Sequence, residues 1–302
     1  TGLLLSGHSV TGVTLLDGTS IKANVVILAT GHSARDIYSM LRENCIHLEA
    51  KNFAVGVRVE HPQELIDSIQ YKRSQRGNYL PAATYSFAEQ VNGRGVYSFC
   101  MCPGGTIVPA ATASEELVVN GMSPSGRNGI FANSGIVVEV RIEDLTHYSH
   151  HREMAGLKFQ EELERKCFKM AGSSQIAPAQ RLTDFLTKVH SNSLPSTSYH
   201  PGIISSDIHQ WLPPFICDRL QLGFQQIGRK AKGFITNEAI ILGVESRTSS
   251  PVRIPRNEDT FEHVKYSRIF PCGEGAGYSG GIVSSAIDGE RCAEKVANIL
   301  QS

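Results

Sequence analysis

The chain has 302 residues, enough to bury a sizeable core and to form one large or two ordinary domains. Its 29 Lys and Arg balance 29 Asp and Glu, so no global basic field draws it to nucleic acid or to an anionic membrane. No apolar run reaches the length of a membrane span, and the opening lacks the charge-then-apolar layout of a signal peptide; the chain reads as soluble.

The first residue is Thr1 rather than Met, and Leu3-Leu4-Leu5 runs straight into strand-like sequence, which reads as a truncated start with any targeting segment upstream. Val10–Leu16 and Ile21–Leu28 are rich in β-branched and aliphatic residues, and Asp17-Gly18 between them predicts a hairpin. The second run ends in Ala29-Thr30-Gly31, small residues that let another group approach the backbone. Ser33 and Asp36 then give a capping-box-like helix start, with Ile37, Met40 and Leu41 as its apolar stripe.

Phe53, Val55, Val57 and Val59 alternate with Ala54, Gly56 and Arg58 at strand period, and Pro62 opens a short helix carrying Leu65, Ile66 and Ile69. Further strands are expected near Val96–Met101, Thr106–Pro109, Leu117–Val119 and Ile136–Ile142, broken by Gly- and Pro-containing turns as in an irregular antiparallel sheet. From about His151 the pattern is helical, with Phe159, Leu163, Cys167 and Met170 on one face and Leu182, Phe185, Leu186 and Val189 on a second segment. Pro213-Pro214 is read as interrupting a third. A strand at Ala239–Val244, a basic proline-bracketed stretch Arg247–Arg256, a short strand Arg268–Cys272 and a helix from about Gly281 to Leu300 complete the chain.

Seven cysteines, Cys45, Cys100, Cys102, Cys167, Cys217, Cys272 and Cys292, are an odd and scattered set, which predicts a reducing compartment; no second pair completes zinc-site spacing, so no structural metal is expected.

The most informative segment is Pro271-Cys272-Gly273-Glu274-Gly275-Ala276-Gly277-Tyr278-Ser279-Gly280-Gly281-Ile282, a strand-to-helix turn with five glycines and one carboxylate. Gly275, Gly277 and Gly280 match G-x-G-x-x-G, but that dinucleotide fingerprint needs a following parallel strand with an acid about 20 residues on, and the sequence ends with the helix. A strand, then Gly273-Glu274, then glycines entering the last helix resembles the second FAD motif of glutathione-reductase-type flavoproteins, and Ala29-Thr30-Gly31 resembles their A-T-G strand end. Within that superfamily, the run from Cys272 to Gly289, with Phe53–Pro62 and Glu245–Pro251, is similar to a family of bacterial and plant FAD-dependent, NAD-utilising dehydrogenases.

The resemblance implies an α/β fold: an incomplete three-layer, Rossmann-like FAD-binding domain made from residues 1–45 and 263–302, with an inserted mixed α+β substrate domain at 46–262. It implies FAD contacts from Ala29, Thr30, Gly31, Gly273, Glu274, Gly275, Gly277, Tyr278, Gly280, Gly281 and Ile282. Glu274 would accept from a ribityl hydroxyl, since a carboxylate offers only acceptors. The amides of Gly281 and Ile282 would face the pyrimidine edge of the ring, where a helix N-terminus favours negative charge by roughly 0.3–1 kcal/mol. The family's first glycine motif is missing from these residues, which implies an upstream segment for the adenine half. Plant relatives are expected in plastids and bacterial ones in the cytoplasm.

No residue is assigned catalysis outright. His32, after the A-T-G turn, Cys102 of Cys100-Met101-Cys102, and Arg247 are the candidates, each with a plainer reading as a cap, core residue or ion pair. His61 is weighed in the same way as His32. Glu245, Arg247 and Arg253, with Arg256 nearby, are candidates for binding an anionic substrate or a nicotinamide cofactor, against a solvated loop or structural ion pairs. Lys51, Arg58 and Tyr278 are weaker candidates. The function expected is an FAD-dependent oxidoreductase passing a hydride through flavin between a small-molecule substrate and an acceptor, with NAD(P) as a further cofactor candidate. The alternatives are a non-catalytic flavin-binding or scaffold protein acting through partners, and a flavin-dependent enzyme that modifies a macromolecule. Neither nucleic acid nor membrane is a predicted partner, and the oligomeric state is left open.

Overall fold

Two sets of chain segments fold on separate cores in the computed structural model, which describes residues 2–301 of a mixed α/β protein. One unit comprises Thr1–Phe53, Arg141–Phe159 and Arg247–Ser302; the other comprises Ala54–Val140 and Gln160–Ser246. Among the described residues no helix is long and apolar enough to cross a membrane.

In the first unit, strands Gly2–Ser6, Ser9–Thr14 and Ser20–Lys22 form an antiparallel sheet. The predicted hairpin closes on Asp17-Gly18: the Thr19 amide donates to Asp17 Oδ1 at 2.9 Å, and Gly18 takes φ +85°, which costs a residue without a Cβ little. The apolar run Ile21–Leu28 is two strands rather than one. Its first half pairs with Ser9–Thr14; after a bend at Asn24, Val26–Leu28 pairs in parallel with Ile269–Pro271 from the far end of the chain. One apolar run thus serves two sheets, which local periodicity does not encode.

Helix Arg35–Glu43 follows, but the expected side-chain cap is not made. The Ser33 hydroxyl instead lies 3.3 Å from Arg247 Nη1, and the helix starts on backbone bonds such as Ile37 N–H to Ala34 O. Tyr38 and Leu41 are buried, with Ile37 and Met40 packed beside them. Leu28, Leu48, Ile254 and Ile269 complete much of this core, and Met154 and Leu157 bring Arg141–Phe159 into it. The last helix, Ile282–Gln301, buries Cys292 and Val296 against Phe270 and Cys272.

The second unit is built on a seven-stranded sheet, in the order Ile203–Ser205, Ala177–Arg181, Ile240–Glu245, Phe53–Pro62, Phe131–Val140, Arg94–Cys102, Ala88–Val91. Ala177–Arg181 runs parallel to Ile203–Ser205 and antiparallel to Ile240–Glu245. Phe53–Pro62 is buried along nearly its whole length, so its alternation does not mark one wet face. Gly56 is required there: a Cβ would run into the carbonyl of Ile136 on the neighbouring strand. Helix Pro214–Lys230 buries Leu220, Phe224 and Ile227, and a Cβ on its Gly223 would meet Val96 Cγ1 at 2.6 Å.

Three expectations shift here. Leu117–Val119 gives way to Val119–Met122, paired with Thr106–Pro109. The strand begun near Ile136 runs Phe131–Val140, and Ile142 starts a 3-10 helix. Pro214 opens a helix rather than interrupting one, at the first-turn position where its missing N–H has no helical partner to lose.

Candidate functional site

The parallel pairing of Val26–Leu28 with Ile269–Pro271 sets the two carboxyl ends side by side, and the Cys272 amide donates to Leu28 O at 3.0 Å. Ala29-Thr30-Gly31 and Gly273–Ile282 both leave from this edge. Gly31, Gly273 and Gly277 take φ of +74°, +73° and +83°. A Cβ on Gly275 would lie 2.6 Å from the Gly31 carbonyl oxygen, so the two turns cross backbone to backbone. The glycine spacing therefore has a concrete cause: side chains are excluded where the turns meet.

Three polar side chains, Asp288, Arg256 and Tyr38, hold the turn. Asp288, on the last helix, accepts from the Gly273 amide at 2.7 Å and from Arg256 at 2.6 and 3.0 Å. Arg256 also donates to Pro271 O at 2.7 Å, and its guanidinium lies 4.0 Å from the Tyr278 ring centroid and 3.9 Å from that of Phe261. Burial alone would raise the Asp288 pKa, but the Arg256 and Gly273 donors hold it below the usual carboxylate value. Tyr38 O–H donates to Gly275 O at 2.8 Å and lies 2.9 Å from Ser250 Oγ. Burial first, with the Glu274 charge adding to it, pushes that phenol up to about 12, so it remains a donor at neutral pH.

Glu274 is the carboxylate of the turn. Its side chain keeps 26% of its surface exposed and lies 3.4 Å from His32 Nε2, so two predicted residues meet. Partial burial raises the Glu274 pKa. Beyond the turn the space is open: nothing lies within 4 Å of a Cβ built on Gly280, and Ile282, the first helical residue, is 91% exposed. The start of the last helix is therefore uncovered on this side.

The remaining candidates lie elsewhere or in other roles. Arg247 sits in the first unit, mostly buried, against Ser33. Arg253 lies 5.3 Å from the Tyr278 ring centroid. Glu245 belongs to the second unit, where it is buried and accepts from Arg58 Nη1 at 2.7 Å. Arg58, wholly buried, also donates to Asn133 Oδ1 at 2.7 Å, to Cys100 O at 2.6 Å and to Asn120 Oδ1 at 3.3 Å. Burial would depress its pKa, but the Glu245 carboxylate lifts it, so it stays charged. Cys102 Sγ lies 3.4 Å from Arg58 Nη2; burial outweighs that cation and raises the thiol pKa, the opposite of what a nucleophile needs. His61 is fully buried with Nε2 2.8 Å from Phe234 O. Tyr38 and Asp288 were missed as site residues. Their sequence signals are slight: an aromatic beside an aliphatic stripe, and an acid in the second turn of the last helix.

The family described as FAD-dependent protein, C-terminal domain-like matches residues 52–248. The chain belongs to this family. The matched stretch covers the whole of the second unit together with Arg141–Phe159 of the first, while Ala29–Gly31 and Gly273–Ile282 of the first lie outside it. An uncharacterized protein of Clostridium beijerinckii is 41% identical over 286 residues, which is 93% of this chain. The chain spans about half of that relative's length, 53%. Family membership bears out the FAD-dependent part of the resemblance, through residues other than the glycine turn, and the likeness to the relative extends over both units.

Proposed function

We propose that this chain carries the flavin-facing half of an FAD site and serves an FAD-dependent oxidoreductase. The observation that carries the reading is the crossing of Gly31 and Gly275 at the carboxyl ends of two parallel strands, with Glu274 and an open helix start beside it. Ligands of α/β sheets bind at that edge of the strands. The parallel strand pair, closed by the last helix, supports a Rossmann-like FAD domain; the second unit then serves as the substrate domain.

The residues present fit the cofactor. Glu274 offers a partly exposed acceptor suited to a ribityl hydroxyl, and His32 can hold that carboxylate in place. Gly275 and Gly31 give a bare-backbone floor with Ala29 and Thr30, while Gly273, Gly277 and Tyr278 shape the turn. Gly280, Gly281 and Ile282 present an uncovered helix start, where electronegative ring atoms are favoured. Asp288 and Arg256 fix the turn from behind, so the acceptor and the amides are aimed before anything binds. When bound, FAD supplies the hydride chemistry. Arg253 and Arg247 are the basic groups of this unit proposed to meet a small anionic substrate or a nicotinamide dinucleotide.

The test is reconstitution with FAD, followed by flavin absorbance and fluorescence. Glu274→Ala should weaken FAD binding by about 10- to 100-fold, the worth of a hydrogen bond to a charged acceptor, and Glu274→Gln by less. A protein that takes up no flavin under any loading condition would overturn the reading. Bound flavin that no donor reduces would keep the site but remove the oxidoreductase.

A further inference from the structure

Two cations beside the glycine turn make no ion pair among the described residues. Arg253 pairs with Glu49 across the short antiparallel ladder Val252–Arg253 and Glu49–Ala50, and Lys51 follows directly. A Cβ placed on Gly277 would lie 3.3 Å from both Lys51 Cδ and Arg253 Cα, so both residues flank the turn at the same glycine. Among the described residues, neither Lys51 Nζ nor the Arg253 guanidinium makes an ion pair, and Arg253 Nε is buried with no hydrogen-bond partner. Glu49, the cross-strand neighbour, lies against His47 Nε2 at 3.7 Å instead. The third cation, Arg256, is already neutralised by Asp288. Burial, with Arg253 beside it, lowers the Lys51 pKa. Two like charges held together, partly out of water, with an orphaned buried donor, destabilise the protein unless an anion joins them.

We propose that Lys51 and Arg253 form an oxyanion-binding site against Gly277 and Tyr278, taking the carboxylate or phosphate group of a small-molecule ligand. The planar fork of Arg253 supplies paired donors and Lys51 a point charge, a combination suited to either group. That the anion belongs to a substrate or to the cofactor itself rests on the flavin reading above; the cation pair does not.

Calorimetric titration at low ionic strength with succinate and with inorganic pyrophosphate tests the site, in protein with and without FAD. Saturable binding is expected, weaker by about tenfold in Arg253→Gln and in Lys51→Gln, the loss of one charge-assisted contact, and unchanged in the surface control Lys22→Gln. Binding that persists in the FAD-loaded protein assigns the site to a substrate anion; competition by FAD assigns it to the cofactor's diphosphate. Binding in a protein that takes up no FAD retains the anion site while removing the flavin reading. As a check independent of variant folding, acylation of Lys51 in the unaltered protein, followed by mass spectrometry, should slow when the bound anion is present. No saturable binding, or equal binding by all variants together with unprotected Lys51, overturns the proposal.

Discussion

Arg58 in the second unit and the cations around Gly277 in the first are both arginine-centred clusters, yet they are finished differently. Arg58 is wholly buried, and each of its three nitrogens has an acceptor, Asn133, Glu245 or the Cys100 carbonyl among them. Around Gly277 Arg256 is neutralised by Asp288, while among the described residues Lys51 and Arg253 make no ion pair, and Glu274 keeps an exposed edge. A closed cluster can do little except hold strands in register. An open one retains unspent charge and donors, and that is where a ligand is expected.

The largest effect tests the closed cluster. Arg58→Met strands the Glu245 carboxylate in the core and should destabilise the second unit by about 3–5 kcal/mol in denaturant unfolding, with Arg58→Met/Glu245→Leu recovering much of the loss. A single variant as stable as the parent would mean that the pair is dispensable. Next comes acid. Burial pushes His61 down to about 4 from 6.5, and its Nδ1 has no hydrogen-bond partner among the described residues. A histidine held neutral in the fold contributes stability above its unfolded pKa and loses it as pH falls, here between 6.5 and about 4, on the order of 3 kcal/mol in all. His61→Phe should flatten that part of the stability profile; an unchanged slope would assign the acid sensitivity to other groups.

At the open site, Gly275→Ala should lower FAD affinity more than it lowers stability, since the added methyl meets the Gly31 carbonyl where the turns cross. Equal thermal shifts with intact affinity would demote the crossing to a structural turn. The smallest effect concerns thiols. None of the seven cysteines is in a disulfide and Cys45 and Cys100 are the exposed ones, so a native thiol titration should detect about two quickly reacting groups and the remainder after unfolding. Fast reaction at Cys102 would reopen its candidacy as a nucleophile.

The glycine turn and its carboxylate were legible because a dense run of glycines at a strand–helix junction has few other physical uses. The hairpin at Asp17-Gly18 was legible for the same local reason. What escaped was partnership. Arg58 reads as one position of an alternating strand and a weak site candidate, yet neighbouring strands supply Asn133 and Glu245 and bury it. Ser33 reads as a helix cap, but its hydroxyl faces Arg247 from a remote segment. Met154 and Leu157 read as part of a helical middle, and their packing places Arg141–Phe159 in the first unit.

By itself, the order of residues determined the local chemistry of this protein: which runs could be strands, where the backbone had to stay bare, and which turn carried an acceptor. Only the tertiary structure decided which of those pieces meet. Val26–Leu28 finds Ile269–Pro271 across almost the whole chain, and that pairing brings Gly31 to Gly275 and His32 to Glu274. Backbone preferences act over a few residues, whereas a long-range contact is selected by the packing of the whole unit.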